Sequence, residues 1–138
     1  MPDTTRAMTD YFAAQADVEA AFLFGSQARG TALPGSDVDV AVLLRRDAAA
    51  DPLRRLTFTN DLMDILGRDD VDVAILNDAS AVLLHRVARD GKVLFATSNT
   101  AVAEFVIHAM QQFEDTRPLR ELQARQASHI FNSSKGKP

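Results

Sequence analysis

The chain has 138 residues, of which 46% are hydrophobic, and this is enough apolar material for the core of a single domain. It contains no cysteine, which excludes a disulfide scaffold, a thiol nucleophile and a thiolate zinc site. The 15 basic and 19 acidic residues give a net charge of −4, so we expect no binding to long nucleic acid. No apolar run reaches the length of a membrane span, and we therefore expect a cytoplasmic protein without a membrane partner.

The first half of the chain predicts helices that alternate with short strands. The Ala-rich residues 10–17 predict a first helix. Buried strands are predicted where short runs of β-branched or aromatic residues are bounded by turn formers, at 20–24, 38–44 and 71–76. Between the second and third strands, apolar residues at near-helical spacing predict a helix that opens at Asp51-Pro52 and stops at Gly67. The arginine pair Arg54-Arg55 in this helix is expected to be solvated.

The second half of the chain predicts further helices and one strand. A helix is expected at 79–89 and a strand at 92–96. A long helix then begins at Asn99 or Thr100, either of which could cap it, and reaches residue 113 or beyond. Pro118 interrupts this pattern before a last helical stretch at 119–130.

These elements predict an α/β (α+β) fold with a small mixed sheet flanked by helices. One domain is expected at residues 1–132, and the polar residues 133–138 are expected to form a disordered tail. Within the domain, residues 37–43 resemble residues 70–76. Two copies with unmatched flanks are too few for a repeat architecture, so we expect two strands that each turn valine toward a core and aspartate toward the other face.

The turn after the first strand has the chemistry of a phosphate-binding site. Gly25 follows a buried strand, and its missing side chain lets the backbone approach a ligand closely. Ser26 offers a hydroxyl and a backbone N–H at the start of a short helix, where a phosphate would fit. Arg29 either approaches a triphosphate or forms a surface salt bridge, and Ser36 either orients the next carboxylate or caps the turn. We treat all four residues as candidates for nucleotide binding.

Three aspartates on two strands form the candidate catalytic and metal site. Asp37 and Asp39 are two residues apart on a strand, so their carboxylates project from the same face and repel each other unless a cation lies between them. Oxygen ligands of this kind suit Mg²⁺. Asp72 on a neighbouring strand can join them, and it is favoured over Asp70, which lies in the turn before that strand. Three carboxylates around one or two metal ions suit in-line displacement at phosphorus.

These residues resemble a known family. A Gly-Ser pair, ten residues, Asp-x-Asp and a later aspartate are the pattern of nucleotidyltransferases of the DNA polymerase β superfamily. More narrowly, Gly-Ser-Gln-Ala-Arg-Gly followed by Pro-Gly-Ser-Asp-Val-Asp-Val-Ala-Val resembles the minimal nucleotidyltransferases. Members of this group are typically encoded beside a HEPN-domain protein, and some are MntA-type antitoxins. The resemblance covers about residues 10–96 and implies the nucleotidyltransferase fold.

The resemblance also implies a mechanism. Asp37 and Asp39 would bind two Mg²⁺ ions that hold the triphosphate of ATP, and Asp72 would complete one metal site and help to deprotonate the attacking hydroxyl. Gly25 and Ser26 would hold the β- and γ-phosphates. The acceptor of AMP would be a tyrosine of a HEPN ribonuclease toxin, so the chain would act as an antitoxin in a complex with that toxin.

Two alternatives remain open at this stage. The chain is too short to contain a separate acceptor-binding domain, so we expect a partner protein to present the acceptor. A binding module could instead neutralise this partner by occlusion without catalysis, or the nucleotide could be transferred to a small molecule. A purely occluding protein has no physical reason to keep three carboxylates facing one another, which favours the enzyme.

Overall fold

The computed structural model describes residues 2–25, 37–48 and 51–135 of the chain. In chain order its helices and strands are α1 Pro2–Ala13, β1 Val18–Phe24, β2 Val38–Leu44, α2 Arg54–Leu66, β3 Val71–Ile75, α3 Ala81–Asp90, β4 Lys92–Ala96, α4 Asn99–Asp115 and α5 Arg117–Lys135. Short 3-10 helices follow β2 at Arg46–Ala48 and β3 at Leu76–Asp78. No helix within these three ranges is long and apolar enough to cross a membrane.

The four strands form one mixed sheet in the order β3-β2-β1-β4. β1 runs antiparallel to both of its neighbours, β2 and β4, whereas β2 and β3 run parallel. A parallel pair needs a crossover connection, and α2 supplies it. The predicted α/β fold with a small mixed sheet flanked by helices is therefore confirmed.

The similarity between residues 37–43 and 70–76 corresponds to the pairing of β2 with β3. Asp39 lies opposite Asp72, and the valines on either side of Asp39 lie opposite those on either side of Asp72. Because side chains alternate between the two faces of a strand, the valines share one face of the sheet and the aspartates share the other. The similarity thus reflects two neighbouring strands with the same pattern of burial.

The valine face of the sheet carries the larger part of the core. Helices α1 and α2 cover it, and their rings Phe12 and Phe58 are fully buried with centroids 5.8 Å apart. The aspartate face packs against α3 and α4 through a second set of buried residues, which includes Phe22, Phe24, Leu84, Val87 and Phe105. Since helices cover both faces, the strands are apolar along most of their length. The aspartates interrupt this apolar pattern at the ends where β2 and β3 begin.

Helix α3 is held against α4 by stacked rings. His85 of α3 stacks on Phe113 of α4 with centroids 3.8 Å apart, and the Arg120 guanidinium lies 3.6 Å from the centroid of the same Phe113 ring. The Ser80 hydroxyl caps α3 by accepting a hydrogen bond from the Leu83 amide at 3.2 Å. These contacts fix the helix that covers the aspartate face beside β2.

The prediction of the first helix is wrong at both ends. The sequence indicated residues 10–17, whereas α1 spans Pro2–Ala13. Met8 and Phe12 lie four residues apart on one side of α1 and are almost completely buried, so core packing sets the position of this helix. The alanine content of residues 13–16 was a weaker signal than this pair.

Two boundaries in the C-terminal part also differ from prediction. Ser98 caps α4, because its hydroxyl accepts a hydrogen bond from the Ala101 amide at 3.1 Å, whereas the sequence indicated Asn99 or Thr100. Helix α5 continues to Lys135, so residues 133–135, which were expected to begin a disordered tail, are helical. Residues 136–138 lie outside the described ranges.

Candidate functional site

The site lies where β1 ends and where β2 and β3 begin. Phe24, the last residue of β1, lies opposite Asp39, and Asp39 lies opposite Asp72 on the other side. Neighbouring strands are about 4.8 Å apart, which places the Asp39 and Asp72 side chains next to each other on one face. Asp37 immediately precedes β2 and is exposed. The structure therefore groups the three predicted aspartates at the same end of the sheet.

Gly25 brings the backbone against the carboxylate of Asp39. Its φ is +74°, a backbone conformation that residues other than glycine rarely adopt. A Cβ atom at this position would lie only 2.5 Å from Oδ2 of Asp39. The sequence predicted that the bare backbone of Gly25 allows a ligand to approach. In the structure, the group that leaves no room for a side chain at this position is the carboxylate of Asp39.

The environment of Asp39 opposes its negative charge. Burial raises the pKa of the Asp39 carboxyl, and the negative charges of Asp72 and Asp37 raise it further. Arg86, on α3, is the only basic residue of the described ranges that lowers it notably. Within the described ranges, the negative charges of the three aspartates are therefore only partly balanced by nearby basic side chains, and this favours the binding of a cation.

Asp70 and Asp72 have the same alternation along the chain but different surroundings. The Arg68 guanidinium donates hydrogen bonds to both carboxylate oxygens of Asp70, one of them 2.5 Å long, and this lowers the pKa of Asp70. Asp70 is thus committed to an ion pair in the turn before β3. Asp72 is the one that lies beside Asp39, in agreement with its placement inside the apolar run.

Arg55 is a part of the site that the sequence did not indicate. Its Nε donates a hydrogen bond of 2.7 Å to the backbone oxygen of Val73, and its Nη2 lies 3.5 Å from Oδ1 of Asp72. The sequence predicted a solvated side chain at this position. Arg55 and Asp72 belong to different elements, and no local sequence pattern links them, so only the packing of α2 against β3 shows the contact.

The predicted three-carboxylate metal cluster is not assembled in the described part of the chain. Within residues 2–25, 37–48 and 51–135 no three histidine, cysteine, aspartate or glutamate side chains are arranged to hold a metal ion. Repulsion between the like charges of the carboxylates is the physical reason. The donor atoms are nevertheless all carboxylate oxygens, which match the preference of Mg²⁺.

Three of the predicted nucleotide-binding residues, Ser26, Arg29 and Ser36, lie outside the described ranges.

On the outer side of Asp72, the structure shows a cavity of about 610 Å³. Arg55 and Asp72 line it together with apolar side chains such as Pro52, Ile75 and Leu83. A substrate group in this cavity would lie next to the Asp72 carboxylate.

The sequence of this site places the chain in a known family. Residues 7–100 match the family described as polymerase beta nucleotidyltransferase, and the match includes the turn at Gly25 and all three aspartates. The chain belongs to this nucleotidyltransferase family. The family expected from the spacing of the Gly-Ser pair and the aspartates is thereby confirmed.

Two curated relatives are protein adenylyltransferases named MntA. The chain is 38% identical to MntA of Aphanizomenon flos-aquae over 80 residues, which are 53% of each protein. It is also 38% identical to MntA of Shewanella oneidensis over 76 residues, which are 55% of this chain and 52% of that protein. The chain thus spans about half the length of the curated relatives it matches. The predicted resemblance to the minimal nucleotidyltransferases is confirmed.

The fold is similar to that of a solved toxin–antitoxin structure. The crystal structure of a toxin–antitoxin with AMP-PNP contains a chain that superimposes with a TM-score of 0.67 and is 25% identical in sequence. The superposition covers 96% of this chain and 97% of that chain. The likeness extends through the C-terminal helices, which lie beyond the residues matched by the nucleotidyltransferase family.

Proposed function

We propose that this chain is a Mg²⁺-dependent protein adenylyltransferase that transfers AMP from ATP to a tyrosine of a HEPN-domain toxin and thereby acts as an antitoxin. The observation that carries the proposal is the pairing of Asp39 with Asp72 beside the Gly25 turn. This geometry occurs in a chain similar to adenylyltransferases named MntA and to a chain of a toxin–antitoxin structure with AMP-PNP. The acting unit is a single domain that includes helix α5 as far as Lys135, in the cytoplasm, where ATP is available.

In this mechanism the residues around Gly25 hold the triphosphate. The bare backbone of Gly25 and the adjacent Ser26 would bind the β- and γ-phosphates, with Arg29 and Ser36 as further contacts. Asp37 and Asp39 would hold two Mg²⁺ ions, and Asp72 would complete one of the two metal sites. When bound, Mg²⁺ neutralises the phosphate charge and the repulsion between the carboxylates.

Asp72 lies closest to the cavity from which an acceptor could enter. It would accept the proton of the tyrosine hydroxyl, whose oxygen then bonds to the α-phosphorus of ATP. The bond between this phosphorus and the bridging oxygen breaks, and pyrophosphate leaves with the electron pair. The products are an AMP-modified tyrosine on the toxin and pyrophosphate.

The proposal is tested with purified chain, ATP, Mg²⁺ and the HEPN protein encoded beside it. We expect the mass of the HEPN protein to increase by whole AMP units and its ribonuclease activity to fall. Asp39→Asn should abolish the mass increase. Asp70→Asn is the matched control, because Asp70 is paired with Arg68 and should be dispensable for transfer.

Two results would count against the proposal. The absence of any mass increase at saturating ATP would exclude AMP transfer to this partner. If Asp37→Asn and Asp39→Asn chains protected cells from the toxin as well as the native chain does, neutralisation by occlusion would be the better explanation.

A further inference from the structure

Arg55 connects the two faces of the sheet at its β3 edge. It belongs to the first turn of α2, which packs on the valine face, while Asp72 lies on the aspartate face. The guanidinium donates to the Val73 backbone oxygen at 2.7 Å and places Nη2 3.5 Å from Oδ1 of Asp72. One side chain therefore bonds to the strand and contacts the carboxylate that the strand carries.

Stability does not explain this arrangement. The side chains of Arg55 and Asp72 are 64% and 63% exposed, and ion pairs this exposed contribute little to folding. The neighbouring Arg54, in contrast, forms an ion pair of the kind that stabilises a fold. It donates two hydrogen bonds, of 2.7 and 2.8 Å, to the carboxylate of Asp17, and these two side chains are only 19% and 24% exposed. Adjacent arginines of one helix thus have different surroundings.

We propose that Arg55 is a positioning residue for Asp72 in AMP transfer, an inference that rests on the proposed function. Asp39 repels Asp72, so without a cationic neighbour the Asp72 carboxylate would turn away from Asp39 into solvent. The bond to Val73 anchors the guanidinium, and its rigid planar fork then holds Oδ1 of Asp72 on the β3 edge.

This orientation leaves the other oxygen of Asp72 available. Within residues 2–25, 37–48 and 51–135, Oδ2 of Asp72 makes no hydrogen bond. Oδ2 is therefore the oxygen of Asp72 that serves the reaction, both as metal ligand and toward the acceptor hydroxyl, while Oδ1 faces Arg55. Arg55 and Asp72 both line the cavity of about 610 Å³, so Arg55 acts at the place where the hydroxyl enters.

The test measures kcat and KM over a range of ATP and HEPN-protein concentrations for three variants of the full chain, Arg55→Ala, Arg55→Lys and the control Arg54→Ala. Arg55→Ala should lower kcat about tenfold to a hundredfold, as expected for a misplaced reacting group. The KM values for ATP and for the HEPN protein should stay within about twofold, since no ground-state contact is lost. Arg55→Lys should give an intermediate kcat, because lysine keeps the charge without the fork.

The control separates positioning from folding. Arg54→Ala should lower Tm and leave kcat unchanged well below that Tm, whereas Arg55→Ala, which loses one hydrogen bond to the Val73 backbone, should lower Tm less and lower kcat. A native kcat in Arg55→Ala would overturn the inference, as would a loss confined to KM for the HEPN protein, which would make Arg55 a partner contact. A fall in Tm as large as that of Arg54→Ala would assign Arg55 a structural role. If the native chain itself transfers no AMP, the proposed function fails before any variant is compared.

Discussion

Gly25→Ala should damage this protein through two separate effects. The first is backbone strain, because Gly25 has a φ of +74° and alanine in the left-handed region costs about 1–2 kcal/mol. The second is a steric clash with the site. The new Cβ would lie 2.5 Å from Oδ2 of Asp39, so the carboxylate would have to move by roughly 0.9 Å to reach an ordinary contact of 3.4 Å.

Gly67→Ala separates these two effects. Gly67 ends α2 with a φ of +64°, so alanine there meets the same backbone strain, but nothing lies within 4 Å of the added Cβ. Gly67→Ala should therefore lose about 1–2 kcal/mol, which corresponds to a fall in Tm of roughly 3–6 °C for a chain of this size, and Gly25→Ala should lose at least as much. Only Gly25→Ala should also displace a carboxylate of the site, and a displacement of about 1 Å can lower a rate about a hundredfold.

Two measurements on each variant decide the matter. Thermal unfolding followed by circular dichroism gives Tm, and the initial rate of AMP transfer to the HEPN protein is measured at least 15 °C below the lower Tm, a margin of about 3 kcal/mol or more for this size of domain. If Gly25→Ala transfers AMP as fast as Gly67→Ala, the contact between Gly25 and Asp39 has no role in the reaction. If Gly67→Ala loses activity equally, the loss comes from reduced stability and the reasoning about the clash is refuted.

Two further predictions concern single side chains. Burial and the charges of Asp72 and Asp37 raise the pKa of Asp39. Between the ordinary and the raised pKa, the folded state therefore binds more protons than the unfolded state. The free energy of unfolding decreases as pH rises through this window. In a chelating buffer Asp39→Asn should thus melt above the native chain at neutral pH, with a difference that shrinks on acidification; equal Tm values at every pH would contradict this. Tyr11 donates a hydrogen bond of 2.5 Å to Oδ2 of Asp61. Tyr11→Phe should therefore lower the free energy of unfolding in denaturant by about 1.5–3 kcal/mol, while the rate of AMP transfer at low temperature stays at the native value. An unchanged denaturation midpoint would show that this hydrogen bond does not stabilise the fold.

The strands and the aspartate pair were predictable because both follow from the alternation of side chains along a strand. Residues 38–44 form β2 within the predicted bounds, since its sequence is apolar except for Asp39 and most of its side chains are buried. The choice of Asp72 over Asp70 followed from its place inside an apolar run, and the structure shows Asp72 beside Asp39. Gly67 as the end of α2 followed from the conformational freedom of glycine, and its φ of +64° agrees.

What the sequence could not show depends on contacts between distant elements. The start of α1 is set by the burial of Met8 and Phe12 in a core that α2 also forms, and no local propensity contains that information. The contact of Arg55 is also invisible in the sequence. The chain contains several arginines, and only the packing of α2 against β3 shows which of them lies beside the site. The roles of Ser26, Arg29 and Ser36 stay predictions, because these residues lie outside the described ranges.

The register of β2 against β3 places the aspartates where they do not stabilise the fold, which supports their role in the proposed function. Parallel pairing of two similar segments brings each valine next to a valine, which adds to the core, but it also places Asp39 directly opposite Asp72. Like charges directly opposite each other on a sheet are destabilising, and burial of Asp39 adds to the cost. Almost any neutral pair at these two positions would give a more stable sheet. A fold that keeps this pair is therefore less stable than one with a neutral pair, and under the proposed function a bound Mg²⁺ ion would offset the repulsion.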